Sequence, residues 1–323
     1  MPMPKSLEGR LKIPAIAAPM FLTSGPDLVV ETCKAGMLGT FPALNQRTSE
    51  GYAEWCDEIQ SRLALTPDAA PYGVNLIVHK SNPRVHADLA ITVEKKVPLV
   101  ITSLGAVKDL VQAVHSYGGL VFHDVINRRH AEKAAEAGVD GIIAVAAGAG
   151  GHAGTISPFA LIREIQEVFD GTIILSGAMS DGRQIAAARL MGADLAYLGT
   201  RFIATREATV SDAQKEMLLS SKAGDILYTS AISGVHANFL RPSIVAAGLD
   251  PDNLVGHGKL DMQNEARAWK NVWSAGQGTG TITDIPGAGE LVARLIAEYR
   301  EAMQGAARDP FLEAGTAAAS AAA

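Results

Sequence analysis

The sequence predicts an α/β chain folded as a closed (β/α)8 barrel with an inserted, mainly helical subdomain. Three observations predict it. Eight short apolar runs rich in β-branched residues alternate with longer amphipathic stretches up to residue 206, the rhythm of parallel strands covered by helices. The runs are apolar throughout, as strands buried on both faces are. Two junctions echo each other: Ala137-Gly138-Val139-Asp140 leads into Gly141-Ile142-Ile143, and Met191-Gly192-Ala193-Asp194 leads into Leu195-Ala196-Tyr197. In both, a glycine ends a helix and a polar corner turns into the next strand.

The strands are expected at residues 15–20, 38–41, 72–78, 99–102, 120–124, 141–145, 172–176 and 195–198, with helices such as 106–116 and 128–136 between them. An open doubly wound sheet is the competing fold. Eight strands within about 200 residues, and no Gly-x-Gly-x-x-Gly after the first strand, favour the closed barrel. After Arg206 the rhythm breaks. Residues 207–280 hold helical stretches, including 212–223, and a polar, glycine-containing segment, and are read as a substrate-side insertion. The strongly helical stretch 288–303 supplies the eighth barrel helix, so the barrel comprises 1–206 and 281–303. Residues 304–323 form an alanine-rich tail expected to be disordered.

Composition narrows the function. A chain of 323 residues with 48% hydrophobic and 19% charged residues suits a globular enzyme with a large core. A formal net charge of -6 argues against a nucleic-acid-coating protein. Cys33 and Cys56 form neither a disulfide framework nor a metal cluster, and read as buried thiols in a reducing compartment. No apolar run reaches bilayer length, and residues 1–11 lack the apolar core of a secretory signal. The expectation is a cytoplasmic enzyme of a small-molecule substrate, with no membrane or nucleic-acid partner; a homo-oligomer is plausible.

Barrels of this class carry their chemistry at the carboxyl ends of the strands. Here those ends are polar or small: Ala18-Pro19-Met20 after the first run, Asn75 in the third, Thr102-Ser103 at the fourth, His123-Asp124 at the fifth, Ser176-Gly177-Ala178 at the seventh, Gly199-Thr200-Arg201 at the eighth. The sixth is followed by Gly150-Gly151-His152-Ala153-Gly154, ahead of the helix start Ser157-Pro158-Phe159. Glycines there let backbone approach a flat ligand or a phosphate, and a histidine exchanges protons near neutral pH. The last two ends place free amides and hydroxyls on adjacent loops, which suits a phosphate; ordinary helix capping is the alternative. Arg201 would either meet that phosphate or brace a carboxylate. No metal-ligand spacing and no Gly-x-Ser-x-Gly occur. His79, His86, His115, His130, His236 and His257 read as surface or packing residues. Tyr228, His236 and Trp273 stand open between substrate roof and subdomain core, with Phe239 read as core.

Together these motifs resemble the nitronate monooxygenase family, formerly the 2-nitropropane dioxygenases, and its relatives, the FMN-dependent enoyl-ACP reductases and NADH:quinone reductases. The resemblance runs over residues 12–206 and returns at Trp273-Ser274-Ala275-Gly276. It rests on Gly150-Gly151-His152-Ala153-Gly154, on Ser176-Gly177-Ala178 with Asp181-Gly182, and on Gly199-Thr200-Arg201-Phe202. It implies a TIM barrel holding FMN without a covalent link. Ala18, Pro19 and Met20 would lie against the flavin ring, Asn75 and Asp124 would line it, and Gly150 and Gly151 would pass close by. Ser176, Gly177, Ala178, Gly199 and Thr200 would hold the phosphate. His152 matches the family's active-site histidine. Two departures bear on the substrate: Gly148 stands where many members carry glutamate, and Ala17-Ala18-Pro19-Met20 replaces a glutamine- and glycine-containing stretch.

The reaction the resemblance implies is oxidation of an alkyl nitronate by O2 to a carbonyl compound and nitrite. His152 would hold the nitronate oxygen, or take the carbon-bound proton of a nitroalkane. The alternative on the same fold is an FMN-dependent NAD(P)H:quinone or enone/enoyl reductase. A flavin-free phosphate-ligand binding protein or synthase is the more distant one.

Overall fold

The computed structural model describes residues 3–105, 107–254, 256 and 272–312. Eight parallel strands close on themselves: β1 (Ala15–Ala17), β2 (Leu38–Pro42), β3 (Tyr72–Ile77), β4 (Leu99–Ser103), β5 (Leu120–Val125), β6 (Gly141–Val145), β8 (Thr172–Ser176) and β9 (Leu195–Leu198). β1 pairs with β2 on one side, at Ile16 and Leu38, and with β9 on the other, at Ile16 and Tyr197. The two-residue β7 (Gly151–His152) lies outside the barrel.

The strands are apolar on both faces because each face meets its own core. Ile16, Leu38, Leu99, Ile101, Phe122, Ile143, Ile174 and Leu195 point inward and fill the barrel. Their neighbours, among them Ala15, Ala17, Val100, Val121, Ile142, Ile173 and Ala196, face the surrounding helices. Gly141 keeps the inner layer from overfilling: a Cβ there would stand 2.6 Å from the Phe122 ring.

The helices begin and end where local chemistry dictates. α1 (Pro26–Ala35) starts with proline and closes on Gly36 at φ 98°. α2 (Ser49–Ala64), α3 (Val85–Glu94) and α4 (Lys108–His115) follow. α5 (Arg128–Ala137) is capped by the Asn127 side chain and ends on Gly138 at φ 83°. After α6 (Pro158–Gln166), α7 (Gly182–Leu190) opens with an Asp181–Gln184 capping box. The short α8 is Thr200–Ile203, and the final α11 (Ala288–Ala306) packs against α7 and α1.

The repeated corner has a physical meaning. Asp140 Oδ2 accepts from Val121 N at 2.7 Å, and Asp194 Oδ2 accepts from Ile173 N at 2.9 Å. Each corner aspartate thus satisfies the amide of the second residue of the preceding strand, which pins the bottom of the barrel.

β1 is shorter than the expected 15–20. Pro19 has no N–H to continue the ladder, and residues 20–24 instead form a turn. Met20 O accepts from Thr23 N and Ser24 N, and Asn45 Nδ2 donates to Met20 O and Ser24 O. Beyond β9 the segment expected to be mainly helical contains α9 (Asp212–Ser220) and α10 (Arg241–Ala246), but also strands β10 (Ile226–Thr229) and β11 (Ala237–Leu240). These form an antiparallel sheet with β7, in the order β10-β11-β7. The last helix runs on to Ala306, three residues past the expected end; 257–271 of the expected insertion and 313–323 of the expected tail lie outside the described residues. No described helix is long and apolar enough to cross a membrane.

Candidate active site

A cavity of about 1400 Å3 opens at the carboxyl ends of the barrel strands. Of the residues expected to form the site, Ala18, Pro19, Met20, Asn75, Asp124, Gly150, Gly151, His152, Ser176, Gly199 and Thr200 border it. Gly177 and Ala178 do not line the space and sit behind it.

The floor on one side is a hydrogen-bonded chain across three strands. Asn75 Nδ2 donates to Ile101 O at 3.2 Å and to Ser103 Oγ at 2.8 Å. The Ser103 hydroxyl has one proton and gives it to Asp124 Oδ2 at 2.5 Å. Asp124 Oδ1 is buried and has no hydrogen-bond partner among the described residues. Burial pushes the Asp124 carboxyl up to about 6, against the opposing pull of the Ser103 bond and of His152. Beside it, His123 Nδ1 lies 2.7 Å from Thr102 Oγ1, and burial takes its ring down to about 4, so it is neutral at physiological pH.

The His152 loop is clamped from the far side. β7 pairs with β11 at His152 and Ala237 and at Gly151 and Asn238. Gly151 N donates to Ser274 Oγ (2.7 Å), Ser274 Oγ to Asn238 O (2.6 Å), and Asn238 Nδ2 to Ala149 O (2.6 Å). Tyr228 Oη donates to Ala153 O at 3.0 Å. Gly150 permits a close approach: a Cβ there would stand 2.9 Å from Gly276 N. Gly148, the departure noted above, has φ 85°, and a Cβ at this position would meet Gln277 Oε1 at 2.8 Å. Gln277 holds the space a side chain would take, while Gln277 N donates to Gly148 O at 2.8 Å.

Next to the His152 loop in barrel order, Ser176, Gly177, Ala178, Gly199 and Thr200, the expected cradle residues, stand at the ends of β8 and β9. Gly177 and Ala178 have φ of 142° and 55°, a left-handed pair that turns successive amides away from the ladder. Among the described residues, the N–H groups of Gly177, Ala178, Gly199 and Thr200 donate to no backbone carbonyl outside regular elements. A Cβ on Gly199 would lie 3.6 Å from Met20 Sδ and 3.7 Å from Ala18 Cβ, so glycine keeps this part of the cavity open. Thr200 Oγ1 accepts from Gly276 N at 2.8 Å.

Arg201 takes the second of its two expected roles. It is buried, with Nη2 2.6 Å from Asp284 Oδ1 and Nη1 on the carbonyls of Ala204 and Asp284. Arg294, followed by Arg201, holds the Asp284 carboxyl below its ordinary range. The arginine braces the wall and does not border the cavity. Tyr228 and His236 stack at 5.1 Å and, with Trp273, border the cavity, whereas Phe239 is fully buried. His130 is exposed, as its reading as a surface or packing residue expects, and also borders the cavity.

The sequence reading missed the coupling made by Ser103, Ser274 and Asn238. Ser103 carried a signal, a hydroxyl at a strand end between Asn75 and Asp124 on neighbouring strands. Asn238 had none, since its partner lies 89 positions away.

The family model for nitronate monooxygenase matches residues 7–298. A dehydrogenase of Rhodococcus jostii acting on (3aS,4S,5R,7aS)-5-hydroxy-7a-methyl-1-oxo-octahydro-1H-indene-4-carboxyl-CoA is 25% identical, over 88% of this chain and 92% of its own. A nitronate monooxygenase of Paraburkholderia phytofirmans is 27% identical, over 90% and 93%. The solved structure of nitroalkane oxidase from Streptomyces ansochromogenes superimposes with a TM-score of 0.80 at 24% identity, covering 93% of this chain and 99% of that one, a likeness of fold. The match over nearly the whole barrel, with its site at the strand ends, places the chain among the oxidoreductases of the nitronate monooxygenase family.

Proposed function

We propose that this chain binds FMN in the cavity and oxidises alkyl nitronates with O2 to a carbonyl compound and nitrite. The observation that carries the reading is the pairing of an uncharged amide cradle with His152 on neighbouring strand ends around one cavity. The residues fit the cofactor. Gly199 and Thr200 offer amides, and Ser176 a hydroxyl, to its phosphate, with the turn at Gly177 and Ala178 behind them. Ala18, Pro19 and Met20 offer an apolar plate to its ring. Asn75 and the unpartnered Asp124 Oδ1 offer polar atoms to the ring's polar edge. FMN, when bound, supplies the electron-transfer chemistry.

The chain's own residues bind, orient and move protons. His152 holds a nitronate oxygen when protonated and accepts the carbon-bound proton of a nitroalkane when neutral. Its loop keeps that position because Ser274 and Asn238 fix the backbone before it and Tyr228 the backbone after it. Tyr228, His236 and Trp273 roof the substrate and exclude water.

A second reading, an NAD(P)H-dependent reductase of a quinone or enone, is favoured by the dehydrogenase name of the Rhodococcus jostii relative. Anaerobic visible spectra separate the two. Oxidised flavin bands that change with propyl-2-nitronate and not with NADH or NADPH support the monooxygenase. Rapid bleaching by a pyridine nucleotide moves the assignment to the reductase. A colourless protein that takes up no added FMN removes both.

A further inference from the structure

The cavity is larger than the roughly 300–1,000 Å3 that ordinary ligand sites occupy, and its charge is one-sided. Arg47, Lys80, Arg84 and Lys133 line it against one carboxylate, Asp124. Arg84 is spent on structure: it pairs with Asp88 at 3.0 Å and donates to Gln46 O and Thr48 O. Arg47, Lys80 and Lys133 are exposed and have no ion-pair partner among the described residues. They come from three separate positions, after β2, after β3 and on α5, yet all face the same mouth. Between them Leu104 and Ile126 are 39% and 36% exposed and border the same space. Side-chain cations around exposed apolar surface, on a chain of net charge -6, form a local site rather than a general field. The amide cradle lies on the other side of the barrel, at β8 and β9.

We propose that this rim is a second anion site, separate from the cradle, which takes the adenosine diphosphate tail of a second ligand. Arg47, Lys80 and Lys133 meet its phosphates, and Leu104 and Ile126 meet its base or pantetheine-like arm. Coenzyme A thioesters and pyridine dinucleotides share this tail, and the ligand's reactive end then points down the cavity toward His152. The proposal rests on FMN filling the cradle.

The test is calorimetric titration of the full-length FMN-loaded protein with ADP, coenzyme A and NADPH. It compares the wild type with an Arg47→Gln/Lys80→Gln/Lys133→Gln variant whose melting temperature and flavin content are checked first. ADP is expected to bind the wild type, and to lose about tenfold or more in affinity in the variant and on raising salt from about 0.05 to about 0.5 M. Coenzyme A binding more tightly than NADPH, without bleaching, identifies a thioester ligand; NADPH binding more tightly, with bleaching, identifies the dinucleotide. Equal binding of all three to wild type and variant, or binding to neither, overturns the rim. Parallel assay with propyl-2-nitronate separates the two readings: wild type inactive toward the nitronate but binding ADP through the rim retires the nitronate reading and leaves the rim in place.

Discussion

The two walls of the cavity are built from different materials. The wall at β6, β8 and β9 is backbone: the Gly199 and Thr200 segment, and a His152 loop held by a ladder and by Ser274. The wall at β2 to β5 is side chain, with a buried polar chain at its base and exposed cations at its lip. Backbone donors are fixed by the fold and lose almost no entropy on binding. Long cationic side chains lose rotamer freedom and are screened by salt. The difference teaches which wall suits a resident group and which a ligand that must come and go.

Three experiments break or sharpen that contrast. The largest effect is expected from His152→Asn. Nitronate turnover should fall by about 10²-fold or more while bound flavin stays at wild-type levels; full activity would remove the acid–base role. Next is Gly199→Val. The local backbone tolerates a side chain, since the added Cβ makes only ordinary contacts, but the branched group fills the cradle's opening. Flavin affinity, read by fluorescence on dilution, should drop about tenfold or more with the melting temperature nearly unchanged. A parallel fall in both would mean that Gly199 serves the fold instead.

The smallest effect is expected at the base of the side-chain wall, from Asp124→Asn in flavin-free protein. Because the folded carboxyl is raised to about 6, its contribution is complete below the ordinary carboxylate range and is lost as pH rises through about 6. The asparagine variant should therefore be more stable than wild type at about pH 8, by on the order of 1–2 kcal/mol, with the advantage fading toward about pH 4. Urea midpoints across that range check it. A variant less stable at every pH would show that the Ser103 bond outweighs the burial of charge.

The barrel was legible because its strands are buried on both faces, which leaves uninterrupted runs such as Gly141–Val145 and Thr172–Ser176. The corner aspartates were visible as an echo, although their bonds to Val121 and Ile173 were not. The β7–β10–β11 sheet was hidden for a different reason. β7 is two residues long and carries no periodicity, and its partners come from far along the chain. Ile226-Leu227-Tyr228-Thr229 did carry β-favouring residues, set in a stretch whose neighbours suggested helix. His152 and most of the strand-end residues border the cavity because the carboxyl ends of the strands follow from topology. The cationic rim was not, since Arg47, Lys80 and Lys133 are scattered in sequence and converge only when the strands close.

The pairing of Gly151 and His152 with Asn238 and Ala237 also makes the histidine loop answer to chain outside the barrel. A change in β11 reaches that loop through two ladder pairs and the Asn238 bond to Ala149 O. The position of His152 can therefore be retuned from the appended sheet without altering any barrel strand.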